Sequence, residues 1–281
     1  MRPSVHVLIP ASIVADCPDL TDKTMKLGIV GRALAIFRVE KVCVYLDDDP
    51  HVRNQRRERE FVQLILSYME TPQYLRKLLF PRRRELARAG ALPPLRTPHH
   101  PDRDEKDAPG SFREGVVIRS GGDGSIVEIG LPWKGFTKMA LEPGRRVTVR
   151  LGNRLAGGMV EVFPVGRRET GEYWGYEVLG ADGIGRALDA VGGEWRIGTS
   201  RYGRNLYEGL GDIRVKRPKS VTIAFGGPYA GLHEICRRQG EDPESAFDEV
   251  LNTIPEQGTR TVRTEEAIIV TLGIVNALIG G

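Results

Sequence analysis

Cysteine is scarce in this chain: Cys17, Cys43 and Cys236 are three among 281 residues, too few and too scattered for a disulfide framework or a CxxC zinc pair. A reducing, cytoplasmic compartment is therefore expected. No stretch reaches the ~18 apolar residues of a membrane span, and the N-terminus lacks the basic, apolar and small-residue succession of a signal peptide. The most apolar segment, Ala267 to Ile279, is interrupted by Thr271, Gly273 and Asn276 and reads as a buried helix. Excess charge is also lacking, since 41 Lys and Arg stand against 37 Asp and Glu. A formal charge of +4 leaves any nucleic-acid argument to the distribution of charge rather than its sum. Neither GxxxxGK[ST] nor GxGxxG after a strand occurs, which argues against P-loop NTPases and dehydrogenases with the common fingerprint, and GxSxG and HExxH are missing too.

What is present is the composition of a folded protein, 40% hydrophobic and 28% charged, with length for about two domains. Val5–Pro10 and Lys41–Leu46 read as buried strands, and Thr21–Phe37 between them carries apolar residues at helical spacing. A strand–helix–strand opening predicts an α/β domain with a parallel sheet. Asp49 and Pro50 offer a cap and a first-turn proline for a following helix with apolar face Phe61, Leu64, Ile65 and Tyr68. The runs His51–Glu60 and Pro81–Glu85 are rich in arginine, and each is either a solvated helix face or an RNA-facing patch.

From Ala91 to Gly110 prolines and charges replace periodicity, which predicts a linker. His99, His100 and Asp102 within it are a weak metal-ligand pattern, because a proline-rich segment seldom fixes ligand geometry; no metal is expected. Short strands then follow at 115–118, 125–129, 146–151, 158–165 and 172–179, separated by glycine-rich turns. Five strands in ~70 residues predict a small OB-like β-barrel of the kind that grips single-stranded nucleic acid. Trp133, Lys134, Phe136, Lys138, Arg145, Arg146, Arg167 and Arg168 are candidates for stacking and phosphate contact, with Trp133 and Phe136 equally readable as core. Beyond residue 180 the α/β signals return at Glu194–Ser200 and Ser220–Phe225. The expected organisation is a discontinuous α/β domain, 1–90 and 180–281, interrupted by a barrel at 91–179.

Ligands of parallel sheets bind beyond the carboxyl ends of strands. Three segments stand there: Gly198–Gly203, Phe225–Gly231 and Leu251–Arg263. Gly226, Gly227 and Gly231 lack a Cβ and admit either a close ligand or a tight turn. Thr264 is placed to cap a last helix, with Glu265 and Glu266 complementing its dipole. That helix is apolar nearly all round, so it needs cover from the domain or from a second subunit.

The run Val-Thr-Ile-Ala-Phe-Gly-Gly-Pro at 221–228, ending in Gly231-Leu232, together with Leu-Asn-Thr-Ile-Pro-Glu-Gln-Gly-Thr-Arg-Thr-Val-Arg-Thr-Glu-Glu-Ala at 251–267, resembles the SPOUT methyltransferases. The likeness is to the subfamily of RNA uridine N3-methyltransferases with an OB-like insertion, and it covers the whole chain. It implies an α/β fold with a C-terminal trefoil knot and a homodimer. It also implies S-adenosylmethionine held by Thr199, Ser200 and Arg201, by Phe225, Gly226, Gly227 and Gly231, and by Leu251, Asn252, Thr253, Ile254, Gln257, Gly258 and Thr259. RNA, rRNA foremost, is the implied partner, and methylation of a base at uridine N3 the implied reaction. For that reaction Arg201 is the first choice to stabilise the developing base anion, its alternative role being a phosphate contact. Arg263 is the second, with Glu265 or Glu266 as proton acceptors. The competing reading is a non-catalytic RNA-binding or ribosome-assembly protein on the same scaffold.

Overall fold

The computed structural model describes residues 2–102, 107–209 and 217–279; the rest of the charged run at 103–106 lies outside them. The chain divides into two units. The first comprises residues 1–67, 85–93 and 176–281, and the second 68–84 and 94–175.

The first unit is built on a six-stranded sheet. Its strands are β1 (Ser4–Pro10), β2 (Val39–Tyr45), β8 (Glu177–Ala181), β9 (Trp195–Asn205), β10 (Ser220–Ala224) and β11 (Glu249–Asn252). Their order across the sheet is β11-β9-β10-β1-β2-β8, and every pairing is parallel. β1 is central, with Leu8 opposite Ala224 on one side and Cys43 on the other. Buried on both faces, such strands read as continuous apolar runs, which is why β1 and β10 are visible in the sequence.

Helix α1 (Leu20–Ile36) links β1 to β2 and starts where Asp19 accepts from the Thr21 and Asp22 amides at 2.7 and 2.9 Å, satisfying two of its free donors. The next helix, α2 (Gln55–Glu70), begins later than the Asp49–Pro50 signal predicts. Asn54 supplies its cap by accepting from the Arg57 amide at 3.0 Å, while Asp49 turns the chain locally by accepting from the His51 amide at 2.8 Å. Helices α4 (Ile184–Val191) and α5 (Leu232–Arg238) cover the sheet through Ile184, Leu188, Leu232 and Ile235, which pack with Leu8, Tyr45 and Ala224. The last helix, α6 (Thr264–Ile279), packs on α1.

The second unit holds a closed barrel of β3 (Phe112–Gly121), β4 (Gly124–Glu128), β5 (Lys134–Thr137), β6 (Arg146–Leu155) and β7 (Met159–Val165). Its order is β3-β4-β5-β7-β6, with β5 and β7 parallel and the other neighbours antiparallel. Val117, Val127, Ile129, Val149, Leu151, Val160 and Val162 fill the interior. The fifth strand differs from expectation. The segment read as 172–179 yields β8, which joins the parallel sheet beside β2 with Lys41 opposite Glu177, and the barrel is completed instead by β5, whose Phe136 pairs with Ile126.

The second unit also contains helix α3 (Gln73–Leu79) and a buried ionic network. Arg146, read from sequence as a nucleic-acid contact, is instead clamped between Glu70 and Glu114. Thr148 donates to Glu114 at 2.6 Å, and the indole of Trp174 donates to its Oε1. Burial alone would raise the Glu70 carboxyl, but the Arg146 guanidinium together with His99 and Arg167 outweighs it and holds the pKa at about 2. His99 and His100 each point Nε2 at the Glu70 carbonyl, at 2.9 and 2.7 Å, so a segment expected to be a linker is anchored. Among the described residues no group of three or more His, Cys, Asp or Glu is placed to hold a metal, and no helix is long and apolar enough to cross a membrane.

Candidate functional site

A cavity of ≈ 600 Å³ opens in the first unit where the later residues of β9, the segment after β10, and the end of β11 with the segment after it converge. From the first segment Thr199, Ser200, Arg201 and Tyr202 line it, from the second Phe225 to Tyr229 and Gly231, and from the third Asn252, Thr253, Ile254 and Gln257. Residues that are up to sixty positions apart in sequence are thus brought together by parallel strands that all end at one edge.

Each loop is tied to its neighbours. Thr199 donates to the Ala224 carbonyl at 2.8 Å, and Asn252 donates to the Arg201 carbonyl at 3.2 Å while accepting from the Ile254 amide at 3.1 Å. Thr253 and Thr271 share a hydroxyl–hydroxyl bond of 2.7 Å. Fully buried Tyr45 reaches from β2 to donate to the Phe225 carbonyl at 2.6 Å. Removing that hydroxyl would leave the carbonyl unpaired, a loss of about 1–3 kcal/mol. Tyr45→Phe is therefore expected to lower stability by that amount and to loosen the Phe225–Gly227 loop, checked by denaturant unfolding together with ligand titration.

The two glycines after Phe225 are dictated by space. A Cβ on Gly226 would lie 2.9 Å from the Leu232 amide nitrogen and 3.0 Å from the Gly231 Cα, and one on Gly227 would lie 2.5 Å from Ser12 Oγ. Behind Gly227, the buried Asp47 accepts from the Ser12 amide at 3.1 Å. Burial, only partly offset by those Ser12 hydrogen bonds, pushes its carboxyl up to about 6.

Over nearly its full length, residues 4–275, the chain matches the family described as "Putative RNA methyltransferase". It belongs to that family. An uncharacterized protein of Halobacterium salinarum is 37% identical over 95% of this chain and 96% of its own. The 28S rRNA (uridine-N(3))-methyltransferases of Homo sapiens and Drosophila melanogaster are 34% and 32% identical, each over 96% of this chain and over 77% and 61% of their own lengths.

In this RNA methyltransferase family member the expected site residues largely converge. All three of the first loop, all four of the second, and Asn252, Thr253, Ile254 and Gln257 of the third line the cavity. Leu251 is buried beneath it, Gly258 lies off the lining, and Thr259 only supplies a carbonyl to the Gln257 amide group at 2.9 Å. Arg201 stands at the wall with its guanidinium over the Tyr202 ring, 4.7 Å from the centroid. Arg263 and Glu265 do not line the cavity. Glu265 is paired with Lys26 at 3.1 Å, and Glu266 accepts from the Arg263 amide at 2.9 Å. Thr264 does not cap α6; its hydroxyl donates to the Gly226 carbonyl at 3.0 Å.

The sequence reading missed His233, whose Nδ1 is 3.0 Å from Ser200 Oγ, and the lining residues Tyr229, Glu234 and Arg237. These sit on the turn into α5 and on its first turns, a helix not foreseen. The Gly231-Leu232 start, which leaves side chains one turn apart facing the glycine loop, was the available signal.

Proposed function

We propose that this chain is an S-adenosylmethionine-dependent RNA methyltransferase of the SPOUT class that methylates uridine N3 in rRNA. The observation that carries the reading is the convergence of the three loops on one cavity whose floor has no room for a Cβ at Gly226. A backbone that must stay bare there suits a ligand gripped by peptide groups. Phe225 and Ile254 offer apolar surface for adenine, and Asn252, Thr253, Thr199 and Ser200 offer hydrogen bonds. Bound there, S-adenosylmethionine would supply an electrophilic methyl group on a cationic sulfur. The protein's part is then to align the base, stabilise charge on it and take up its proton. Arg201, with Tyr202 beside it, is suited to the base or its phosphate.

The class and its knot are supported by the all-parallel order, in which the chain leaving β10 crosses β9 so that β11 pairs with the far side of β9. A homodimer is supported by α1 and α6, which leave Met25, Ile29, Ile36, Ile269 and Val270 well exposed on packed helices. An OB-like, RNA-reading role for the barrel is supported by its strand order and by arginines over aromatic rings, Arg154 over Trp133 at 4.0 Å and Arg150 over the exposed Phe163 at 5.4 Å.

The test is methyl transfer from labelled S-adenosylmethionine to rRNA transcripts, with N3 modification read as a reverse-transcription stop. Saturable transfer that yields such a stop is expected. Binding of S-adenosylhomocysteine without transfer to any RNA would favour the scaffold protein instead.

A further inference from the structure

The loop leaving β2 carries an arrangement that the reading above does not use. His51 has a side chain 58% exposed, whereas that of its partner Asp49 is fully buried. The His51 ring and its own amide both donate to Asp49 Oδ1, each at 2.8 Å. Two bonds to one oxygen fix the ring direction and place the proton on Nδ1, so the other nitrogen, Nε2, keeps its lone pair. The imidazole lies against the phenol ring of Tyr229, with centroids 4.3 Å apart and planes at 29°. Tyr229 lines the cavity and is half-exposed, so His51, itself outside the lining, is packed against a residue of the cavity wall. Among the charges near the pair are Arg238, 4.0 Å from the second Asp49 oxygen, and Asp47, buried in the same acidic run with its carboxyl raised to about 6.

A surface histidine does not need a buried carboxylate, an Asx turn and a stacked ring to remain folded. The combination is that of an oriented base, in which the carboxylate sets the tautomer and the ring direction. The two carboxylates that the sequence offered for this task are engaged elsewhere, Glu265 with Lys26 and Glu266 with the Arg263 amide.

Resting on the methyltransferase reading, we propose that His51 is the general base, positioned by Asp49 and Tyr229. The imide nitrogen of the base gives its proton to His51 Nε2 and keeps the N–H electron pair. That pair forms the new N–CH3 bond as the C–S bond breaks, and its electrons stay on sulfur, leaving a neutral thioether. The imidazolium, held by Asp49, returns its proton to solvent.

Two measurements test this. In the free protein, nitrogen-15 spectra of the His51 ring should show the proton on Nδ1 and an unprotonated Nε2, and Asp49→Asn should erase that preference. In single turnover His51→Gln should slow transfer about 100-fold or more at neutral pH, with dissociation constants for S-adenosylhomocysteine and RNA moved by less than about twofold. The deficit should shrink about tenfold per pH unit as hydroxide replaces the base, and shrink also on RNA carrying the more acidic 5-fluorouridine. An unaltered rate in His51→Gln, a proton on Nε2 in the wild type, or methylation of a nitrogen that bears no proton would each overturn the assignment. If the wild type methylates no RNA at all, the methyltransferase reading fails first, and the ring spectra of the free protein still judge the Asp49–His51 arrangement.

Discussion

Gly226→Val is expected to weaken S-adenosylhomocysteine binding at least 100-fold, about 2.7 kcal/mol, while leaving the unfolding transition of the barrel unit unmoved. The contacts met by the new side chain are backbone atoms, the Leu232 nitrogen and the Gly231 Cα, and backbone cannot swing aside as a flexible side chain can. The loop must shift into the cavity or pull α5 with it. Asn252→Ala should cost less, roughly tenfold, because it deletes one hydrogen bond that holds the third loop to the first and one within the third loop but obstructs nothing. Calorimetric titration of both variants checks the order. Equal affinities for wild type and Gly226→Val would remove the cavity from any account of cofactor binding.

A second large effect is expected far from the cavity. Arg146→Met leaves Glu70 and Glu114 buried without their guanidinium, and breaking a buried pair in this way costs roughly 3–5 kcal/mol. Denaturant unfolding followed by Trp174 fluorescence reads it directly, since the indole is bonded to Glu114. Acid dependence supplies an independent check.

In the wild type His100 and Glu70 are among the groups that lower stability as pH falls. Burial, with His99 adding to it, depresses the His100 ring to about 3, below the ~6.5 of an unfolded histidine. The folded state therefore binds fewer protons than the unfolded state from about pH 6.5 down to 3, and stability falls through that window. Glu70, held at about 2 against the ~4.3 of an unfolded glutamate, withdraws its own contribution from about pH 4.5 downward. In Arg146→Met the burial of Glu70 is no longer offset by the guanidinium, so acid relieves the variant. Its gap to wild type should narrow as the pH is lowered, and a gap that widens would refute the assigned balance.

The convergence of the three loops was legible because its chemistry is local. Gly226-Gly227 and Asn252-Thr253-Ile254-Pro255 each bring their own geometry, and a parallel sheet gathers strand ends wherever the strands sit in the chain. Strand β5 was not legible, since Lys134–Thr137 is four residues long with Gly135 inside it. The reason for that glycine is tertiary: a Cβ there would sit 2.8 Å from Val162 on β7. Glu177–Ala181 was visible as a strand, but alternation does not say which sheet it joins; its pairing with β2 decides that. Arg146 looked like an RNA contact because an arginine in a basic stretch carries no mark of its buried partners, Glu70 and Glu114. His51 was hidden for the same reason. Its aspartate is two residues away, but the ring that gives the pair a direction, Tyr229, comes from the other end of the chain.

The order in which the strands are synthesised differs from the order in which they pair. The middle of the parallel sheet is β1 against β10, with Val5 opposite Val221, so the first strand made waits for a partner ~200 residues later. At about 5–20 residues per second this is roughly ten to forty seconds of translation. Meanwhile β3 to β7, all between Phe112 and Val165, are already complete and able to close on one another. Pairings at such separation are slow to form, and β1 and β2 are apolar strands with unsatisfied edges during the wait. A nascent chain of this protein therefore carries a finished barrel flanked by an unfinished sheet, and the exposed strand most in need of a chaperone's cover is the one made first.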